Sequence, residues 1–150
     1  MQTYNDYKNH VDFLTIYIRE AHPIDEWRMA SNEKDKDDVC YVQPKTLAQR
    51  VAIANDFTQR FKFPLPFGID EMSNAANDAY AAWPERIYIL DENAKVAYPG
   101  GIGPFQYHPE EARAWLAQRY GEVKHPAPAP ASPAPAAPPS ASPAAAENKT

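Results

Sequence analysis

The segment from Val11 to Trp27 reads VDFLTIYIREAHPIDEW and joins an apolar run to a compact group of ionisable side chains. Glu20, His22, Asp25 and Glu26 follow the run within one turn. A histidine can exchange a proton near neutral pH, and a nearby carboxylate can orient it. In α/β sheets, sites form in the turns after the carboxyl ends of strands. Glu20 and His22 are therefore the candidates for an acid–base site. From the residues alone, the favoured interpretation is a solvated turn that His22 merely orders.

The remaining side chains of this segment are predicted to have other roles. Arg19, Asp25 and Glu26 are expected at the surface, because charged side chains are rarely buried. Trp27 is expected to pack against the domain rather than to form a wall for a substrate.

Cys40 is the only cysteine of the chain, which excludes an internal disulfide and a cysteine-rich metal site. It follows a charged loop rather than a strand-to-helix turn, so a partly buried, unreactive thiol is expected. The other histidines, His10, His108 and His125, show no metal-ligand spacing, and no metal is predicted.

The elements that must position these residues follow from periodicity and turn signals. The predicted order is helix, strand, helix, strand, helix, strand, strand, helix, which indicates an α/β fold with a mixed sheet flanked by helices. The helix TLAQRVAIANDFTQRF has Thr46 as its cap. Its predicted core face contains Leu47, Val51, Ala54 and Phe61. The core face of the last helix, HPEEARAWLAQRYG, would contain Ala112, Trp115, Leu116 and Tyr120.

Composition divides the chain of 150 residues into a domain, 1–124, and a Pro/Ala-rich tail, 125–150. The tail holds half of the 16 prolines and no aromatic residue, so it is predicted to be disordered and partly polyproline II. The net charge of -5 argues against a nucleic-acid partner. The sequence shows neither a membrane-spanning apolar run nor a signal peptide, so a cytoplasmic location is expected, unless the natural start lies upstream of Met1.

Four segments together resemble one known family. They are YIREAHPIDEW (Tyr17 to Trp27), QPKTLAQRV (Gln43 to Val51), MSNAANDAYAAWPERIYIL (Met72 to Leu90) and YPGGIGPFQYHPEEARAWL (Tyr98 to Leu116). In this order they resemble the iodothyronine deiodinases and their bacterial relatives, which are thioredoxin-fold proteins with peroxiredoxin-like features. The resemblance implies removal of iodine from an iodinated phenol such as thyroxine, with a thiol as reductant and no resident cofactor. It leaves a homodimer as an assembly to consider.

The resemblance also implies roles for individual residues. His22 would transfer a proton to the carbon that loses iodine or hold a substrate hydroxyl, with Glu20 as its polar neighbour. Pro84 would be a cis-proline at the substrate site, with a trans proline that merely ends the preceding helix as the alternative. Arg86 would anchor an anionic group, with a structural ion pair as the alternative.

Two departures from the family pattern matter. The family carries a cysteine or selenocysteine after its first core strand, and no such segment occurs in this chain. That strand would lie between the strands at Val11–Ile18 and Arg86–Leu90, so an N-terminally incomplete chain without turnover of its own is expected. Pro44 replaces the family's second histidine. A general thiol-redox or peroxiredoxin-like protein and a non-catalytic partner-binding module remain alternatives.

Overall fold

The computed structural model describes residues 1–30 and 40–125, which form helices and short strands in the predicted order. The elements are α1 (Gln2–Tyr7), β1 (Thr15–Tyr17), α2 (Leu47–Arg60), β2 (Phe67–Ile69), α3 (Ala75–Tyr80), β3 (Tyr88–Leu90), β4 (Val96–Pro99) and α4 (Pro109–Tyr120). The α/β class is therefore confirmed. Apart from His125, the predicted tail lies outside the described residues.

The strands form two pairs. β1 and β2 are parallel, with Thr15 opposite Phe67, and β3 and β4 are antiparallel, with Tyr88 opposite Pro99. The predicted mixture of parallel and antiparallel pairing is present, but it is distributed over two separate two-stranded sheets. Within the described residues, β1 and β3 therefore each have a partner strand on one edge only.

The helix α2 connects the parallel strands and is capped by Thr46, as predicted; the cap is a capping box formed with Gln49. The Thr46 hydroxyl accepts a hydrogen bond from the Gln49 backbone N–H at 3.3 Å, and the Gln49 side-chain carbonyl accepts one from the Thr46 N–H at 3.1 Å. These bonds satisfy backbone donors that a helix start leaves unpaired. The start of α2 is therefore well defined.

The predicted core face of α2 is wrong at two positions. Leu47 is 50 % exposed and Phe61 is 39 % exposed, whereas Arg50 and Ala54 are each 2 % exposed. The buried stripe is therefore centred on the Arg50–Ala54 pair, one turn apart. An arginine can occupy this stripe because its guanidinium bonds to buried oxygen atoms, as burial of a charge requires.

The Arg50 guanidinium ties α2 to the segment between β2 and α3. It donates to the backbone carbonyls of Asp70 at 3.1 Å and Glu71 at 2.7 Å, and to the side-chain carbonyl of Asn74 at 2.9 Å. The Asp70 carboxylate in turn accepts from the N–H groups of Ala76 and Asn77 at the start of α3, both at 2.9 Å.

The helix α4 packs beside α1. Ala112 and Leu116 are buried as predicted, while Trp115 and Tyr120 are only half-buried. The Tyr7 hydroxyl, in a residue that is 1 % exposed, donates to the Gly121 carbonyl at 3.1 Å. Asp6 pairs with Arg113 at 2.6 Å and with His125 at 2.9 Å, which attaches the end of the described chain to α1.

Candidate acid–base site

The turn that follows β1 brings Glu20 into contact with Tyr17, the last residue of the strand. The Tyr17 hydroxyl donates a hydrogen bond to Oε1 of Glu20. Burial, together with this bond and the charge of Glu20, raises the pKa of Tyr17 well above its usual value. Tyr17 therefore stays protonated and acts as the donor, and Glu20 accepts the bond as a carboxylate.

His22 is held in one orientation by its own turn. Its Nδ1 lies 3.1 Å from the Trp27 backbone carbonyl. A carbonyl only accepts hydrogen bonds, so Nδ1 carries the proton of this contact and Nε2 is left to exchange a proton. The ring of Trp27 stands edge-on to His22, with centroids 5.0 Å apart.

The expectation that Trp27 packs in the domain is wrong, because it is 65 % exposed. Among the described residues its ring contacts that of His22, and an indole can leave most of its surface in water when no neighbouring element covers it. Arg19, Asp25 and Glu26 are exposed, as expected.

A second segment of chain lies against this turn. The Ile24 N–H donates to the Tyr41 carbonyl at 2.9 Å, and the Gln43 N–H donates to the Asp25 carboxylate at 2.8 Å. The Gln43 side chain also bonds to both backbone polar groups of Glu20, each at 3.2 Å. These contacts join the turn to the start of α2.

Pro84 and Arg86, the predicted substrate-side residues, lie on the segment that enters β3. The Trp83–Pro84 peptide bond is cis, as expected from the resemblance. The Arg86 Nε donates to the Gly100 carbonyl at 2.7 Å, and its guanidinium lies 4.9 Å from the centre of the Tyr88 ring. These contacts give Arg86 a structural task, and its role as a substrate anchor stays a prediction.

Arg19 connects the turn after β1 to the segment that carries Pro84. Its guanidinium lies over the Trp83 ring, 5.0 Å from the ring centre, a distance at which a cation is attracted to the aromatic face. The end of β1 therefore lies beside the segment that carries the cis-proline. The structure thus places the predicted acid–base pair and Pro84 on neighbouring parts of the molecule.

Cys40 is half-buried and lines an open cleft of about 300 Å³. The other lining residues belong to the same segment and to α2: Tyr41, Val42, Gln43, Pro44, Gln49, Ala52 and Ile53. Within the described ranges, no group of three or more histidine, cysteine and acidic side chains is arranged to hold a metal ion.

Three residues of this site were missed by the sequence reasoning: Tyr17, Gln43 and Arg50. Tyr17 was placed in the predicted strand without a role of its own, although its spacing of three from Glu20 was available as a signal. Gln43 and Arg50 stand in a segment that carries the family resemblance, but no local pattern assigns them a partner.

Comparison with known proteins gives a consistent result. Residues 2–120 match the family described as iodothyronine deiodinase. The chain is 38 % identical over 115 residues to a type I iodothyronine deiodinase of Xenopus laevis. These residues cover 77 % of this chain and 42 % of the relative. It is 34 % identical over 123 residues to a type II iodothyronine deiodinase of Rattus norvegicus, covering 81 % of this chain and 45 % of the relative.

A thyroxine 5-deiodinase of Bos taurus is 37 % identical over 119 residues, which cover 79 % of this chain and 37 % of the relative. The chain thus spans about two fifths of the length of these relatives. Their names do not favour the peroxiredoxin-like or the partner-binding alternative. Among the helices that the structure describes, none has the length and apolar character needed to cross a membrane.

Proposed function

We propose that this chain, which belongs to the iodothyronine deiodinase family, supplies the acid–base part of a site for reductive deiodination. Membership also identifies the α/β fold as thioredoxin-like. The relatives are named for iodothyronines and thyroxine, so the proposed substrate is an iodinated phenol of that kind. The observation that carries the proposal is the Tyr17–Glu20–His22 turn at the end of β1.

The proposed chemistry needs a nucleophile, an acid and a reductant. A thiolate or selenolate attacks the iodine, the carbon–iodine bond breaks, and the electron pair stays on the ring carbon, which takes up a proton. The enzyme is left with a sulfur–iodine or selenium–iodine bond. Two thiols then reduce this bond, become a disulfide, and release iodide, two protons and the original anion. In sum, one iodophenol and two thiols give the phenol, iodide, a disulfide and one proton.

His22 is the proposed donor of the proton to carbon. The bond from Nδ1–H to the Trp27 carbonyl fixes the ring and leaves Nε2 to carry the transferred proton. The Tyr17 hydroxyl donates to the Glu20 carboxyl group and so holds that side chain at the end of the strand.

The nucleophile is proposed to come from outside these 150 residues. The sequence contains one cysteine, Cys40, and this residue stands before α2 rather than at the end of a core strand. In the described residues β1 and β3 each have one partner strand. A further strand between them would satisfy both open edges and deliver its last residue to the edge where β1 delivers Glu20.

The remaining parts of the proposal concern the substrate contacts, the reductant, the location and the assembly. Pro84 and Arg86 would contact the substrate, and a cellular thiol would serve as reductant without a resident cofactor. A cytoplasmic location fits this requirement, because thiols are kept reduced there. A homodimer is the proposed assembly.

Iodide release from an iodinated phenol in the presence of a dithiol tests this function. The 150-residue chain should show no turnover, because nucleophilic catalysis requires the nucleophile. Extending the chain at its N-terminus with an apolar strand that ends in cysteine should produce turnover, and the same extension ending in serine should not. Turnover by the unextended chain that Cys40→Ser abolishes would contradict the proposal, as would an inactive cysteine extension that folds.

A further inference from the structure

We propose that Gln43 is a positioning residue, whose side-chain amide holds the backbone of Glu20 and so fixes the acid–base turn on the start of α2. The proposal rests on the function proposed above for Glu20 and His22, and it deepens that function. No sequence pattern assigns this task to Gln43, because its partner lies 23 positions earlier in the chain.

The contact between Gln43 and Glu20 is reciprocal. The side-chain carbonyl of Gln43 accepts from the Glu20 N–H, and the side-chain N–H₂ donates to the Glu20 carbonyl, both at 3.2 Å. A primary amide carries a donor and an acceptor in one plane, so it can pair with a residue as a neighbouring strand would. Asparagine carries the same groups on a shorter side chain, which moves them away from this position.

The part of the turn that follows His22 is also bonded to Gln43. The Gln43 backbone N–H donates to the Asp25 carboxylate at 2.8 Å, and its side-chain N–H₂ lies 3.5 Å from the Glu26 carboxylate. Gln43 therefore contacts the turn before His22 and again after it. His22 itself is held between these two attachments.

Gln43 is in turn held by the beginning of α2. Pro44 follows it and is buried, and proline restricts its own backbone and that of the residue before it. The Lys45 and Thr46 N–H groups then bond to the Gln49 side-chain carbonyl at 2.8 Å and 3.1 Å. The amide of Gln43 is thus presented by a rigid segment, which is what a residue that positions another must have.

Glu20 is consequently fixed through its side chain and through its backbone. Tyr17 holds its carboxylate and Gln43 holds its backbone. Removing the Gln43 amide would leave the carboxylate contact intact and free the backbone. The predicted result is a local loosening of the turn with the global fold retained.

Amide hydrogen exchange on the full 150-residue chain measures this loosening. In Gln43→Met, which keeps the length of the side chain and removes its hydrogen bonds, the Glu20 N–H should exchange about ten- to thirtyfold faster. The amides of α4 should be unchanged. Gln118→Met is the same substitution at an exposed position of α4, and it should leave the exchange rate of the Glu20 N–H as in the parent chain.

A Glu20 amide that stays equally protected in Gln43→Met would overturn the proposal. So would faster exchange throughout the molecule at the same factor, because that result would mean a general loss of stability. If Gln43→Met does not fold, Gln43→Glu replaces it. Glutamate still accepts from the Glu20 N–H, but it cannot donate to the Glu20 carbonyl and it faces the Glu26 carboxylate, so faster exchange confined to the turn is expected.

Kinetics separate a positioning role from a purely structural one. In the cysteine-extended chain, Gln43→Met should lower kcat at least tenfold and leave KM within about twofold, because a misplaced acid affects the chemical step. An unchanged kcat together with a loosened Glu20 amide would overturn the positioning role. If the extended parent chain shows no turnover, the proposed function has failed, and the exchange result still decides whether Gln43 holds Glu20.

Discussion

Arg50 and Arg119 both bond to oxygen atoms, but Arg50 is 2 % exposed whereas half of the Arg119 side chain is open to solvent. Arg50 belongs to the parallel half, which comprises β1, α2, β2, α3 and their described connections. Arg119 belongs to the hairpin half, which comprises β3, β4 and α4, and it pairs with Glu92 at 3.0 Å. The difference teaches that the Arg50 network of the parallel half is fixed by burial, whereas the Arg119 pair of the hairpin half is not.

This difference bears on where a site can form. A buried polar group has few alternative partners, so its position is determined by the fold. The two members of an exposed ion pair can instead separate and bond to water. Tyr17 and Asp70 are tied together in the parallel half, because the Asp70 N–H donates to the Tyr17 carbonyl at 2.9 Å. The buried network around Arg50 therefore supports the strand end that carries Glu20.

The largest expected effect comes from removing Arg50. Arg50→Met keeps most of the apolar stem but leaves three oxygen atoms without their donor, so the free energy of unfolding should fall by about 3 kcal/mol. Arg119→Met should change it by less than about 1 kcal/mol, because its partner is exposed. Urea denaturation measures both values. Equal losses for the two variants would remove the distinction between the halves.

Alkaline pH should also act mainly on the parallel half. Burial and a hydrogen bond to Asp56 raise the pKa of Tyr41 to about 12, and burial and Glu20 raise the pKa of Tyr17 further. An unfolded tyrosine ionises near 10, so the unfolded chain loses its proton first. The free energy of unfolding should therefore be at its full value below pH 10 and should fall as the pH rises towards 12.

Two matched variants locate this effect. Tyr41→Phe should flatten the fall in the free energy of unfolding between pH 10 and pH 12 in part, because it removes one of the two tyrosines that cause it and leaves Tyr17. Tyr98→Phe, in the hairpin half, should flatten it less, although burial and a hydrogen bond to Glu111 also raise the pKa of Tyr98. A larger effect for Tyr98→Phe, measured by urea denaturation at each pH, would contradict this assignment.

Helix caps provide a smaller test. Thr46→Ala removes the capping box of α2 and should cost about 1 kcal/mol of stability. His108 occupies the corresponding position of α4 without a side-chain cap bond, so His108→Ala should cost less than about 0.5 kcal/mol. Thermal unfolding of the two variants measures the difference. A larger loss for His108→Ala would show that the cap of α2 contributes little.

The smallest effect is expected from the Pro/Ala-rich tail. Deletion of residues 126–150 should leave Tm within about 2 °C of the parent chain, because the deleted residues include no aromatic or large aliphatic side chain. His125 and its contact with Asp6 are retained in this variant. A drop of more than a few degrees would mean that the tail contributes to the stability of the hairpin half.

The order of the elements could be predicted from the sequence because periodicity and caps are local. Thr46 and the glycine after α4 are signals within one turn of the helix ends that they define. Periodicity also indicated a buried face for α2, but it could not show which side would meet β2. Leu47 was therefore predicted to be buried, and Arg50 was not.

The site was predictable only in part. Glu20 and His22 could be selected from residue types and from the strand that precedes them, and the cis bond before Pro84 was expected from the family resemblance. The contact of Gln43 with Glu20 joins positions far apart in the chain, so no local rule predicts it. Trp27 was misjudged because its surroundings depend on segments that the sequence pattern does not place.

Turnover of the cysteine-extended chain carrying His22→Gln tests the central claim most directly. Glutamine keeps hydrogen-bonding groups but cannot donate a proton near neutral pH, so kcat should fall by about 10²–10⁴-fold with the fold unchanged. His108→Gln, at an exposed histidine of the hairpin half, serves as the matched control and should keep full activity. Position 44, directly before the start of α2, is a proline and cannot substitute for His22 as a proton donor. Full activity of His22→Gln between about pH 6 and pH 8 would show that His22 only orders the turn, and it would contradict the account.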